Sequence, residues 1–283
     1  MKILVTGANG QLGSEIQLLS SEFSEFKFVF SDRSVLSMDA PETISTYLDA
    51  IQPDFIVNCA AYTAVDKAET EPELADLINN KAVGIIAKWS FLNRAKLVHI
   101  STDYVFDGTS ASPLKESDAT NPQNEYGNTK LKGEIACLNA NPESIIIRTS
   151  WVYSEFGNNF VKTMLRLMKE RESINVVEDQ IGSPTYAKDL AQAILDIISK
   201  NNWISGIYNF SNEGEISWFD FAVAIKEITK SNCDVKGIPS AQFPTPAKRP
   251  MYSLLNKSKI KETFGVEVPE YRESLKKCIK TLN

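Results

Sequence analysis

Residues 2–13 read KILVTGANGQLG, a short apolar run that meets three glycines, Gly7, Gly10 and Gly13, each three positions apart. An apolar strand followed by such a turn and a helix lets backbone N–H groups approach a pyrophosphate without Cβ clashes. Asp32 lies near the end of the second predicted strand, where an acidic residue binds the ribose hydroxyls of a dinucleotide. The stretch therefore predicts a dinucleotide site, although its glycine spacing differs from the more common G-x-G-x-x-G.

Arg33 follows Asp32 directly. A carboxylate favours an unmodified ribose, whereas a guanidinium can pair with a 2′-phosphate. The two neighbours together predict that either NADH or NADPH is accepted. The alternative is that both charges only solvate a loop.

Outward from this turn, short apolar strands alternate with helices over the first 150 residues, as in βαβ units on a parallel sheet. Apolar residues come in blocks, which is typical of strands covered by helices on both faces. The predicted strands are 2–6, 26–31, 54–58, 96–101 and 144–149, and the predicted helices are 11–20, 41–51, 72–93 and 125–138.

The second half is less regular. Helices are predicted at 158–169, 187–199 and 217–229, strands at 174–177 and 206–210, and a proline-rich stretch follows at 239–250. We expect an α/β fold in which a Rossmann-type doubly wound parallel sheet, residues 1–150, carries a smaller, loop-rich α/β substrate lobe, residues 151–283. Segments near 173–200 are expected to return to the first lobe.

Composition and charge narrow the partners. The 283 residues are 43% hydrophobic and 23% charged, which is ordinary for a globular protein. Thirty basic and 36 acidic residues leave a net charge of -6, which argues against nucleic acid as partner. No apolar run reaches the roughly 20 residues of a membrane span, and the first run is too short for a signal peptide. We expect a cytoplasmic protein whose four scattered cysteines are free thiols.

Acid–base chemistry has to come from side chains other than histidine, because the one histidine, His99, lies within an apolar run. Tyr126 and Lys130 are four residues apart in a predicted helix and share a face. A nearby ammonium lowers the pKa of a phenol, which would make Tyr126 a proton donor at neutral pH. Thr102, at the end of a predicted strand, offers a hydroxyl to the oxygen of a carbonyl that accepts hydride. On an exposed helix the same Tyr-x-x-x-Lys spacing would carry no chemistry.

With these features the chain resembles the extended short-chain dehydrogenase/reductase superfamily and, within it, the dTDP-4-dehydrorhamnose reductase family. The resemblance covers nearly the whole chain. The matching segments are NCAAYTAVDKAE at 58–69, STDYVFDG at 101–108, RTSWVY at 148–153, GNNFVKTM at 157–164, DQIGSPT at 179–185 and PTPAKRP at 244–250.

The resemblance implies NAD(P)H-dependent reduction of the C4 ketone of dTDP-6-deoxy-L-lyxo-4-hexulose to dTDP-L-rhamnose. Tyr126 would be the acid, Lys130 its electrostatic partner and ribose anchor, and Thr102 the hydroxyl that polarises the ketone. The implied cofactor residues, besides Tyr126 and Lys130, are Gly7, Asn9, Gly10, Gln11, Leu12, Asp32, Arg33, Asp39 at the adenine, and Ala61, Tyr62 and Thr63 at a strand end. The implied substrate residues are Thr102, Asp103, Trp151 and Arg249, the last beside the diphosphate.

Two of these assignments have simple alternatives. The indole of Trp151 offers a broad face to a sugar, but an aromatic residue there is equally suited to the core. Arg249, next to Lys248, is equally suited to a solvated loop.

Some members of the resembled family hold a divalent metal with acidic side chains at a homodimer interface. Glu15 matches one such position, but Lys188 stands where a second acid is expected, with Asp189 beside it. Because an ammonium has no lone pair for a metal, we predict none. A homodimer is therefore predicted without the support of such a metal site.

The expected partner is a small-molecule nucleotide sugar, without nucleic acid or membrane. Two other functions stay open: another nucleotide-sugar reductase or epimerase of the superfamily, and a non-catalytic regulatory subunit like that of methionine adenosyltransferase. The presence of Thr102, Tyr126 and Lys130 favours an enzyme.

Overall fold

The computed structural model describes residues 1–200 and 202–282. Its strands are β1 Lys2–Thr6, β2 Lys27–Ser31, β3 Phe55–Asn58, β4 Lys96–Thr102, β5 Ile145–Thr149, β6 Val152–Tyr153, β7 Ser173–Val177, β8 Ile181–Gly182, β9 Thr185–Tyr186, β10 Gly206–Asn209, β11 Ile216–Ser217 and β12 Asp234–Ile238. Its α-helices are α1 Gln11–Leu19, α2 Pro41–Ile51, α3 Val65–Ala68, α4 Pro72–Asp76, α5 Ala82–Leu92, α6 Glu125–Ala140, α7 Phe160–Glu170, α8 Ala187–Ser199, α9 Trp218–Thr229, α10 Ser258–Phe264 and α11 Tyr271–Leu282.

The central sheet has six strands in the order β2-β1-β3-β4-β5-β10, and every pair in it is parallel. The strand order reverses between β1 and β3, and in open α/β sheets ligands bind at the carboxyl ends of the strands on either side of such a reversal. The predicted Rossmann-type doubly wound sheet is confirmed.

Both faces of this sheet are buried, which explains the block-like apolar pattern of its strands. Ile3 and Val5 pack into a cluster with α1 and α8, whereas Leu4 points to the opposite face and packs with α2 and α5. Successive side chains of a strand point to opposite faces, so a strand covered on both sides is apolar throughout.

A third apolar cluster lies outside this sheet. It is built by α7, α9 and α11 around Phe221 and Leu275. The strand β7 pairs with β12 there, so this part of the segments near 173–200 that were predicted to return to the first lobe does not join the large sheet. By contrast, α8 packs on α1 and β10 pairs with β5. We propose that residues 1–150, α8 and β10 form the dinucleotide-binding lobe and the rest of 151–283 the substrate lobe.

The predicted helix 72–93 is interrupted. A π-helical turn at Leu77–Lys81 separates α4 from α5, and π turns within helices are frequent at functional sites. Inside this turn the buried Asn79 donates to the Tyr62 carbonyl oxygen at 3.1 Å and accepts from the Tyr62 N–H at 2.8 Å. The interruption therefore places an amide where it fixes the loop after β3.

Across the two described ranges, no helix combines the length and the apolar character needed to cross a bilayer.

Candidate active site

A cavity of about 830 Å³ opens at the carboxyl ends of β1, β3, β4 and β5. Its volume is within the range of small-molecule sites. Of the residues predicted for cofactor, catalysis and substrate, all line it except Arg249: Gly7, Asn9, Gly10, Gln11, Leu12, Asp32, Arg33, Asp39, Ala61, Tyr62, Thr63, Thr102, Asp103, Tyr126, Lys130 and Trp151.

The glycine turn explains its own composition. Gly7 has φ +63°, and a Cβ there would lie 2.8 Å from Cα of Ala60 after β3. A Cβ at Gly13 would lie 2.4 Å from the carbonyl oxygen of Gly7, so the third glycine lets α1 pack onto the turn. No side chain caps the N-terminus of α1 at Gly10, and its first amides and its dipole are suited to an anion. These residues fit the pyrophosphate of a dinucleotide.

The loop after β2 carries three charged residues of the site. Asn9 donates to Asp32 at 2.7 Å, and hydrogen bonds from Ser34 hold the pKa of the Asp32 carboxyl below its usual value. The exposed Arg33 pairs with Asp39 at 2.5 Å, and hydrogen bonds from Ser37 and then from Arg33 lower the pKa of Asp39. The guanidinium predicted for a 2′-phosphate is thus engaged by a carboxylate at the cavity mouth.

Tyr126 lies in the first turn of α6, where the side chain of Asn124 caps the helix by accepting from Gly127 N–H at 2.8 Å. The Tyr126 hydroxyl is within hydrogen-bonding reach of Thr102. Thr102 in turn donates to Asp103 at 3.0 Å. Loop and helix thus place two hydroxyls and a carboxyl next to one another at the end of β4.

The side chain of Lys130 is anchored on β4. Its Nζ donates to the carbonyl oxygen of Ile100 at 2.6 Å. Burial of the Tyr126 hydroxyl raises the pKa of the phenol, so the net lowering that the spacing predicted is not found, and an effect of Lys130 on the tyrosinate stays a prediction. The pKa of Lys130 itself falls to about 8, because burial disfavours the ammonium more than neighbouring Glu134 favours it.

Asp103 is only 2% exposed, and its Oδ2 has no hydrogen-bond partner within the described ranges. Burial raises the pKa of this carboxyl to about 6, and the Thr102 hydroxyl, which donates to Oδ1, opposes this rise. A buried oxygen without a partner costs free energy unless a ligand or water meets it. Asp103 lines the cavity, but this oxygen is itself buried, so its contact with a substrate hydroxyl stays a prediction.

Trp151 adopts the left-handed backbone conformation, with φ +47°, although it is not a glycine. Its ring stacks on Trp218 with the ring centroids 3.7 Å apart, and its edge lies close to Gly182, where a Cβ would be 2.9 Å from Cζ2. The broad face expected to be open to a sugar is therefore partly covered. Trp218 also lines the cavity. Sequence reasoning missed this residue, although it starts α9 directly after the N-cap Ser217, which forms a capping box with Asp220.

Arg249 lies behind the cavity wall. Its guanidinium pairs with Asp66 of α3 at 2.7 Å and donates to the Tyr104 hydroxyl at 3.2 Å. Tyr104 lines the cavity, with its ring edge-on to Tyr126 at 5.6 Å. A contact of Arg249 with a diphosphate stays a prediction.

Glu15 is fully buried, and neither of its carboxylate oxygens has a hydrogen-bond partner among the described residues. Burial raises its pKa to about 8, and the carboxyl of Glu155 beside it acts in the same direction, while Lys188 opposes both. A carboxyl that is protonated at neutral pH is a poor metal ligand. Across residues 1–200 and 202–282, no group of three or more His, Cys, Asp and Glu side chains is placed to hold a metal ion.

The parallel sheet, the uncapped glycine turn and the Thr102, Tyr126 and Lys130 side chains around one cavity are characteristic of a short-chain dehydrogenase/reductase. The chain belongs to the family described as "RmlD substrate binding domain", which matches residues 1–283.

Relatives agree with this assignment over their full length. A dTDP-4-dehydrorhamnose reductase of Escherichia coli is 40% identical, with 100% of this chain and 98% of the relative covered. The crystal structure of a dTDP-4-dehydrorhamnose reductase ortholog from Clostridium acetobutylicum superposes with TM-score 0.95 at 41% identity, covering 100% and 99% of the two chains. The Bacillus anthracis enzyme in complex with NADP superposes with TM-score 0.94 at 39% identity, with 99% of each chain covered.

Proposed function

We infer that this chain reduces the C4 ketone of dTDP-6-deoxy-L-lyxo-4-hexulose to dTDP-L-rhamnose with NADPH or NADH. The observation that carries this inference is the meeting of Thr102, Tyr126 and Lys130 with the glycine turn in one cavity. It is supported by full-length relatives named dTDP-4-dehydrorhamnose reductase, one of them with NADP bound.

Different residues of the chain would bind different parts of the cofactor. The N-terminal amides of α1 would hold the pyrophosphate, and the ionised Asp32 would accept from a ribose hydroxyl. The loop after β3 carries Tyr62 and is fixed by Asn79. It would form the wall beside the cofactor. When bound, the reduced nicotinamide supplies the hydride to the ketone carbon.

Tyr126 supplies the proton to the ketone oxygen. Because burial keeps the phenol protonated, the proton is present at neutral pH and leaves only when negative charge develops on the substrate oxygen beside it. Lys130, charged below about pH 8, stabilises the tyrosinate that results. Its bond to Ile100 fixes the ammonium at the end of β4.

Thr102 has a single proton, which in this structure it donates to Asp103. It can donate to the ketone oxygen once this bond is released, either by rotation of the hydroxyl or by protonation of Asp103. With a pKa of about 6, Asp103 takes up a proton under mildly acidic conditions. Protonation of Asp103 is thus one of two ways in which the Thr102 proton becomes free for the ketone oxygen.

The decisive experiment mixes the purified protein with dTDP-6-deoxy-L-lyxo-4-hexulose, generated by its upstream epimerase, and with NADPH or NADH. Loss of absorbance at 340 nm with formation of dTDP-L-rhamnose, identified by NMR, is the expected result. A Tyr126→Phe protein is the matched control for contaminating reductases. Turnover only of a different keto-sugar nucleotide would assign another reductase of the superfamily. Cofactor binding without turnover, together with copurification of a partner enzyme, would favour a regulatory subunit.

The proposal also includes a cellular location and an oligomeric state. A cytoplasmic location is supported by the four cysteines, which are all free thiols, and cell fractionation with antibody detection tests it. A homodimer stays a prediction. Since Glu15 is buried, any dimer is expected to be independent of a metal bridge, and sedimentation velocity with and without EDTA measures this.

A further inference from the structure

A buried ion pair lies one helical turn beyond Lys130. Arg148 of β5 donates to both carboxylate oxygens of Glu134, from Nε at 2.9 Å and from Nη2 at 2.7 Å. Both residues are only 2% exposed. Ser101 also donates to Glu134, and the guanidinium lies 4.9 Å over the ring of Phe106. The carboxylate is therefore held at both oxygens, as a buried charge requires.

The pair shares its supports with the catalytic groups. Glu134 is four residues after Lys130 on α6 and faces the same way. Lys130 is anchored on the carbonyl oxygen of Ile100, and Glu134 on the hydroxyl of the next residue, Ser101. Thr102 follows directly on the same strand. The ammonium, the carboxylate and the catalytic hydroxyl are thus fixed to three consecutive residues of β4.

The titratable groups around Lys130 leave Glu134 as the main support for its charge. His99 on β4 is neutral, because burial and then Lys130 hold its pKa well below the usual value. The Cys137 thiol on α6 is neutral as well, since burial raises its pKa to about 11. Arg148 on β5 adds a positive charge, but its guanidinium is paired with Glu134. At neutral pH the carboxylate of Glu134 is the charged group that opposes the desolvation of the ammonium, alongside the hydrogen bond to the Ile100 carbonyl oxygen.

We propose that Glu134 is a positioning residue for the reduction, whose carboxylate, held in place by Arg148 and Ser101, keeps Lys130 charged beside Tyr126. This proposal rests on the proposed function. Arg148 fixes the carboxylate through two hydrogen bonds, but its guanidinium also adds a positive charge. The two members of the pair therefore act on Lys130 with opposite signs: Glu134 favours the ammonium, and Arg148 weakens that effect.

The test compares Glu134→Gln with Arg148→Met. Each breaks the same buried pair, so both lower the thermal midpoint, as any structural role would predict. Loss of Glu134 removes the negative charge, and the alkaline limb of kcat/KM is expected to move down by about one pH unit. Loss of Arg148 leaves the carboxylate uncompensated, and the limb moves up. Near pH 8, Glu134→Gln is then about fivefold slower than wild type and recovers towards pH 6.5.

Glu213→Gln is the matched control, because it breaks an ion pair with Lys257 and Lys261 away from the cavity and is expected to leave the limb in place. Limbs that stay still, or that move in the same direction, would overturn the proposal. If Glu134→Gln does not fold, the upward shift in Arg148→Met decides the matter alone.

A second readout separates this inference from the proposed function. In protein labelled with ¹³C at lysine Cε, the Lys130 resonance, assigned by its loss in Lys130→Met, reports the ionisation of the amine without turnover. The same opposite shifts are expected. A wild-type protein that oxidises no cofactor with the keto-sugar would refute the proposed function, whereas this titration would still decide the role of Glu134.

Discussion

Replacement of Tyr126 by Phe removes one hydroxyl and leaves the rest of the site in place. The phenyl ring keeps its edge-on contact with Tyr104, whose centroid lies 5.6 Å away, and Asn124 still caps α6 through Gly127. The lost group is the proton donor to the ketone oxygen. General acid catalysis contributes roughly 100- to 10,000-fold to the rate, or about 2.7–5.4 kcal/mol of transition-state stabilisation.

We therefore expect kcat to fall by roughly 100- to 10,000-fold, while the dissociation constant of NADPH, followed by its fluorescence, changes little. Tyr104→Phe is the matched control, because it removes a neighbouring hydroxyl that is bonded to Arg249 but leaves the acid, and its kcat should stay within about tenfold of wild type. Single-turnover absorbance at 340 nm measures both. A Tyr126→Phe protein that reduces the ketone at a near-normal rate would refute the mechanism.

Three other perturbations test separate parts of the site. Lys130→Met should lower kcat and also weaken cofactor binding, measured by fluorescence titration, and unchanged affinity would remove its anchoring role. Asp39→Asn frees the Arg33 guanidinium from its ion pair and should shift the ratio of kcat/KM towards NADPH, whereas Arg33→Ala should shift it towards NADH. Glu15 has a folded-state pKa of about 8 against 4.5 for the free carboxyl, so its protonated form stabilises the fold at low pH and this stabilisation is lost as the pH rises through 8. The thermal midpoint of wild type should thus fall more between pH 5 and 8 than that of Glu15→Gln, and parallel curves would contradict it.

The large sheet could be predicted because its signals are local. Blocks of apolar residues gave the five strands of the first half to within a residue, and Pro41 and Ala187 begin helices where the pattern placed them. The pairing of β7 with β12 could not be predicted, because β12 joins the chain to a partner about sixty residues earlier and carries a weak, half-exposed pattern. The amphipathic helix α11 was not predicted, although its buried Leu275, Cys278 and Ile279 recur at a helical period.

The candidate site, like the fold, could be predicted only where its signals are local in the sequence. Spacing alone placed Tyr126 and Lys130 on one face of α6, and both line the cavity. Spacing could not tell that the ammonium would bond to Ile100 of another element, nor that Trp218 would cover Trp151. Such contacts depend on how elements pack in space.

The acid–base chemistry of this site does not use the single histidine of the chain. His99 is buried and held neutral, so no group with an unperturbed pKa near neutrality is available at the cavity. Burial supplies the missing range instead, because it raises the pKa of Asp103 to about 6 and lowers that of Lys130 to about 8. Between these values the carboxylate and the ammonium are both charged, one beside Thr102 and the other behind Tyr126. The fold thus obtains two groups that titrate near neutrality from residues that ordinarily do not.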